Sequence, residues 1–194
     1  MIGLEEQRGR VKAFLFSAGG NDIIGEDKAD NVAVIRKVVS PFNSAFQAKD
    51  YIDNNAWRSR LASIRQQYRA VLTTVRARFP ELPIICNSYD YAIPWSPGDP
   101  RWAAKDEWLG DPLSDLGITN TTLQRAIVRE MLDQFTAMLN EFCGGNSPHG
   151  EFRRVWNANI LGTVGNLWVD EVHPTTTGFK LVANKYRTLL RSIL

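Results

Sequence analysis

Histidine and cysteine are scarce here, two of each in 194 residues. Cys86 and Cys143 lie far apart and fit neither a CxxC pair nor a zinc spacing, so no metal site is expected. Cys86 closes an apolar run and reads as a small core residue. No apolar run approaches the roughly 20 residues of a transmembrane helix, so no membrane span is expected. Residues 1–10 are polar and charged, with no apolar h-region; no secretory leader is visible, and the cytoplasm is the default compartment. A net charge of +2 is too small to argue for nucleic acid or an anionic membrane. The arginines at 58, 60, 65, 69, 76 and 78 suit the solvated side of an amphipathic helix rather than a nucleic-acid interface. No GK[ST] follows the glycines at 19 and 20, which argues against a phosphate cradle.

What is present is ordinary for a soluble domain: 44% apolar and 23% charged residues, without repeat, linker or low-complexity tract. The length suits one domain spanning 1–194. Val11 to Ser17 is a short apolar run that predicts a strand buried on both faces of a parallel sheet. Asp30–Val39 and Asn43–Arg60 read as mostly helical or irregular surface. Leu61–Phe79 has apolar residues at helical spacing, Pro80 stops it, and Leu82–Ser88 predicts a second buried strand. Helix then strand with a short join is the right half of a βαβ crossover.

An aromatic, proline-rich stretch follows, including Tyr89, Tyr91, Trp95, Trp102 and Trp108. Such a loop at a strand's carboxyl end serves as a substrate rim or as a cover for the sheet edge, and both readings stand. Thr121 with Gln124 predicts a capping box opening a helix whose stripe runs from Leu123 to Phe142, ended by Gly144-Gly145. Phe152–Asn157 is a weaker edge-strand candidate, preceded by a loop that places His149 in water. Thr177–Leu194 predicts a last helix with Phe179, Val182, Ala183, Tyr186, Leu189 and Leu190 toward the core.

Two stretches carry chemistry. Gly19-Gly20-Asn21-Asp22 sits at the carboxyl end of the first strand, where open α/β sheets place ligands. There the glycines allow close approach or positive φ, and Asn21 offers an amide donor to a developing oxyanion. Equally, Asn21 or Asp22 serves as a local helix cap. Near the other end, Asp170-Glu171-Val172-His173-Pro174 sets a carboxylate three residues before an imidazole. Histidine is the side chain that titrates near neutral pH. A carboxylate that holds its tautomer frees the other ring nitrogen to deprotonate a hydroxyl. The plainer reading has Asp170 capping the helix near Thr175 and His173 on the surface.

Together, Gly19-Gly20-Asn21-Asp22 and Asp170-Glu171-Val172-His173-Pro174, in this order and separated by most of a domain, resemble the SGNH hydrolases (GDSL-type esterases and lipases). Tyr89-Asp90-Tyr91 with Pro94 resembles a bacterial subset of them. The resemblance covers the chain from Val11 onward. It implies a three-layer α/β/α sandwich with a parallel, flavodoxin-like sheet. It also implies serine acyl transfer on a small-molecule ester, without metal or organic cofactor. By resemblance Asn21 is an oxyanion-hole donor, His173 the base and Asp170 the residue that orients it. Gly19, Gly20, Tyr89, Tyr91 and Trp95 fall at substrate-binding positions.

The family's nucleophile, a Ser in Gly-Asp-Ser, is absent: Gly98-Asp99 is followed by Pro100. The chain therefore resembles the family's carboxyl-terminal two-thirds, lacking the first strands. Ser17 precedes the oxyanion turn and is not promoted to nucleophile. An orphaned Val11–Ser17 strand would be an apolar edge, prone to pair with another chain. A truncated sequence, a fragment completed by another chain and a degenerate homologue all fit. Against the hydrolase stands a non-catalytic module whose aromatic loop holds a glycan or apolar ligand.

Overall fold

The computed structural model describes residues 9–27, 32–95, 108–145 and 150–194. It is a mixed α/β fold built on a parallel sheet of three strands, with six α-helices among the described residues. Strand β1 (Phe14–Phe16) leads through the glycine turn into α1 (Gly20–Ile24). A short antiparallel ribbon, β2 (Glu26–Asp27) with β3 (Val32–Ala33), precedes α2 (Val34–Val38). The long helix α3 (Asn54–Arg78) feeds β4 (Ile84–Asn87). Helices α4 (Gly110–Asp115) and α5 (Thr121–Phe142), strand β5 (Val155–Ala158) and α6 (Thr176–Ile193) complete the chain.

The sheet order is β1–β4–β5, with Phe14 opposite Ile84 and Asn87 opposite Ala158. Alternation along β4 sends Ile84 and Cys86 to one face, where they join the apolar residues of α3 and α5 in one core. Ile85, on the other face, is also fully buried. Helix α3 begins seven residues before the expected Leu61, because the Asp53 carboxylate accepts the N–H groups of Asn55 and Ala56 and supplies a cap. Its buried face, Trp57, Ile64, Tyr68, Leu72 and Val75, keeps the helical period. Arg65 and Arg69 turn outward to Glu141 and Glu151, as a solvated face predicts.

Four expectations need correction. The strand expected over Val11–Ser17 shrinks to three residues and is not buried on both faces: Leu15 is 50% exposed, and among the described residues β1 pairs only with β4. One neighbour supplies one ladder, too little to hold a longer strand. The surface expected at Asp30–Val39 includes buried Val34, Ile35 and Val38, since α2 packs its apolar side inward. The Thr121–Gln124 capping box does not form. Asn120 caps α5, and the buried Gln124 amide instead donates to the Ile118 carbonyl at 2.7 Å. The stripe on α6 is only half covered, with Phe179 54% exposed and Gly178 its one buried residue. No helix among the described residues is long and apolar enough to cross a membrane.

The β1 edge generates a test. It offers unpaired backbone groups beside an exposed Leu15, a combination that favours self-pairing. Leu15→Lys should shift the mass distribution toward monomer in size-exclusion chromatography with light scattering, leaving the thermal midpoint nearly unchanged. A parent chain already monomeric at high concentration would show that this edge is not adhesive.

Candidate active site

A cleft of about 570 Å³ opens at the carboxyl ends of β1 and β4. Ser17 to Asn21 form one lip, and Trp168, Val172 and His173 form the other. Asn87 and Tyr89 lie between them, and Ile160, Val164 and Val182 make much of the wall apolar.

The first lip is held by two tyrosine hydroxyls. Tyr68, reaching up from α3, donates to the Ala18 carbonyl at 2.6 Å and accepts the Ala18 N–H at 3.3 Å. Burial pushes its phenol well above the ordinary range, so it stays a donor. The Tyr89 hydroxyl accepts the Gly20 N–H at 3.0 Å. Gly19 turns the chain with φ +90°, a conformation that favours glycine, and caps α1. At Gly20 a Cβ would lie 2.9 Å from the Tyr89 ring, so glycine here is a matter of space. Asn21 is exposed in the first turn of α1, and its amide has no partner among the described residues.

The second lip is built from loops whose backbone donors find buried side-chain acceptors. Ser88, fully buried, accepts the Ile160 N–H at 3.0 Å. Asp90, also buried, accepts the N–H groups of Gly162 and Val164, tying the loop after β4 to the loop after β5. Glu171 is 0% exposed and accepts from the N–H groups of Trp95 (2.9 Å), Gly110 (2.7 Å) and Leu109 (2.6 Å). Burial pushes its carboxyl above the ordinary value, while these backbone donors pull the other way.

Between these anchors stands the pair. Asp170 Oδ2 lies 2.7 Å from His173 Nδ1, and its Oδ1 accepts the N–H groups of Val172 (2.9 Å) and His173 (2.7 Å). Asp170 is therefore not the cap of the last helix; Thr175 is, accepting from Gly178. The edge of one ring meets the face of the other between Trp108 and His173, with centroids 5.4 Å apart at 76°. With side-chain exposures of 58% for His173 and 23% for Asp170, the pair stands open to water. An exposed ion pair contributes only about 0–1 kcal/mol. The contact adds little to stability, while Oδ1 of the same carboxylate holds the turn from Asp170 to His173.

The structure thus brings Gly19, Gly20, Asn21, Tyr89 and His173 to one cleft, with Asp170 directly behind the histidine. It does not bring Tyr91 or Trp95 there. Tyr91 donates to Asp133 at 2.7 Å beneath the Arg129 guanidinium, and Trp95 is buried. His149, Trp102 and Gly98-Asp99-Pro100 lie outside the described residues. Sequence reasoning missed Tyr68, Ser88, Asp90 and Glu171 as holders of the site. Tyr68 was hidden in an apolar stripe, and the acceptor role of the other three depends on loops distant in sequence. Among the described residues no group of three or more His, Cys, Asp or Glu is placed to hold a metal. No family model, curated protein or solved structure matches the chain.

The turn at Gly20 can be tested directly. One neutral hydrogen bond is worth about 1 kcal/mol, so Tyr89→Phe should speed hydrogen exchange at the Gly20 amide by roughly fivefold. Exchange at a distant core amide such as Leu72 should not change. An unaltered Gly20 rate would mean that the phenol does not hold this turn.

Proposed function

We propose that this chain carries the acid–base and oxyanion half of an SGNH-type ester hydrolase, with the nucleophilic serine supplied from outside these 194 residues. The observation that carries the reading is the 2.7 Å contact between Asp170 and His173 at the lip of the cleft that also holds Gly19, Gly20 and Asn21. The proposal includes a three-layer α/β/α, flavodoxin-like sandwich. It is supported by the parallel β1–β4–β5 order, by the core of α3 and α5 on one sheet face, and by Tyr186 of α6 sharing the cleft with Asn87.

In this reading Asp170 accepts the Nδ1 proton of His173, which leaves Nε2 as a base. His173 takes the proton of a serine hydroxyl as that oxygen attacks the ester carbonyl. The Asn21 amide donates to the resulting oxyanion. Collapse breaks the bond to the alcohol, whose oxygen receives the proton from His173, and an acyl-enzyme remains. Water, deprotonated by the same imidazole, releases the acid and restores the serine. The substrate is a small acyl or acetyl ester, on a sugar or a lipid. The serine sits on a strand that pairs in parallel along the open edge of β1, in cis or from a second chain. Parallel pairing sets that strand's carboxyl end beside Gly19-Gly20-Asn21.

A second reading, a module that binds a glycan or apolar ligand without turnover, gains from two features. The cleft wall is largely apolar, and the Gly20 N–H is already occupied by Tyr89.

The 194-residue chain alone should hydrolyse short p-nitrophenyl esters little faster than buffer. Robust turnover that Ser17→Ala abolishes would instead place the nucleophile at Ser17, which is exposed on the cleft's first lip. In a form completed by the serine segment, Asn21→Ala should lower kcat by roughly 10²–10³. There His173→Ala should remove nearly all activity, and Asp170→Asn should be damaging without unfolding the protein. Activity that survives His173→Ala but not His149→Ala would overturn the assignment of the base. Saturable ligand binding by a completed form without any turnover would favour the binding module.

A further inference from the structure

Glu171 lies inside the Asp170–His173 motif, yet it faces away from the cleft into the protein. A wholly buried carboxylate is costly, and among the described residues this one is held by backbone donors. Its donors come from two places in the chain. Trp95 is one, and Leu109 with Gly110 is the other. The two segments meet so closely that a Cβ on Gly110 would lie 1.7 Å from the Trp95 carbonyl oxygen. Beside this junction, the Trp108 ring meets the His173 imidazole. The Glu171 carbonyl also accepts the Ile93 N–H at 3.0 Å, so the motif's backbone is fastened from the same side.

We infer that Glu171 is a positioning residue: by gathering the 95 and 108–110 backbone it presses Trp108 against His173 and so fixes the imidazole plane facing Asp170. Asp170 holds one ring nitrogen, but one hydrogen bond leaves the ring free to rock about it. A second contact on the ring, from Trp108, removes that freedom. The inference rests on the reading of Asp170 and His173 as a functional pair and assigns Glu171 a role within it.

The test is nitrogen NMR of the imidazole in a His149→Asn background, which leaves His173 as the only histidine. In its neutral form His173 should carry its proton on Nδ1, with Nε2 unprotonated, and its carbon-bound protons should show the ring-current shift of Trp108. Glu171→Ala should mix the two tautomers and cut the ring-current shift at least twofold. Glu171→Gln keeps one carbonyl oxygen for Trp95 and Gly110 and should fall between the two. Gly110→Ala keeps the carboxylate but sets a methyl group against the Trp95 carbonyl and Glu171 Oε1, forcing the two segments apart, and should reproduce the alanine result. Ile127→Val, a core lesion in α5, should lower stability without moving either signal. If Glu171→Ala does not fold, the glutamine and Gly110 variants carry the comparison. Unchanged tautomer and ring-current signals in these variants would reduce Glu171 to a structural anchor and overturn the inference. Mixed tautomers in the parent itself would fail one step earlier, removing the Asp170–His173 pair and this inference with it.

Discussion

Loops at the carboxyl edge of a parallel sheet leave the ladder with backbone N–H groups that have no strand to pair with. In a buried setting each orphan costs roughly 1–3 kcal/mol. This fold answers with side-chain acceptors brought in from elsewhere: Tyr68 for Ala18, Tyr89 for Gly20, Ser88 for Ile160, Asp90 for Gly162 and Val164, and Glu171 for Trp95, Leu109 and Gly110. Ala18, Gly20, Tyr89, Asp90, Ile160 and Val164 themselves line the cleft, so these bonds stiffen its wall. Among the described residues the Asn21 amide has no partner.

That division gives the two lips different characters. The glycine turn is pinned to α3 and to the loop after β4 by neutral phenols, so it is rigid without added charge. The opposite lip is pinned by the carboxylates of Asp90 and Glu171, with Asp170 adding a third in the imidazole pair. Asp90 and Glu171 accept from backbone N–H groups, whereas Asp170 divides its oxygens between the backbone of Val172 and His173 and the imidazole.

Much of this was legible in the sequence wherever a local rule governs. Leu82–Ser88 reads as a buried strand from its composition, and the strand is found over Ile84–Asn87; the stripe from Leu123 to Phe142 reads as a helix from its period, and the helix is found over Thr121–Phe142. The three-residue spacing of Asp170 and His173 allows both a helix cap and a carboxylate–imidazole contact, and the contact is what forms. The failures lie where a distant partner decides. Gln124 looks like a capping residue until the Ile118 carbonyl, presented by the turn after α4, claims its amide. Val11 to Ser17 looks doubly buried because apolar composition does not say how many neighbours a strand will have. The half-covered α6 is the same error on a larger scale: an amphipathic stripe announces a face, not what covers it.

In the proposed function this cleft is an acyl-transfer site that takes a serine next to Gly19-Gly20-Asn21. Covalent labelling with a fluorophosphonate reads that out directly, since the probe marks only a serine activated in such a site. The measurement compares the chain as it stands with a form completed by the serine segment, in cis or as a second chain, locating the adduct by mass spectrometry. No adduct is expected on the 194-residue chain, and in the completed form one adduct is expected on the serine of the supplied segment, lost with His173→Ala. An adduct on Ser17, an adduct indifferent to His173→Ala, or a completed form that takes up no label would contradict the acyl-transfer reading.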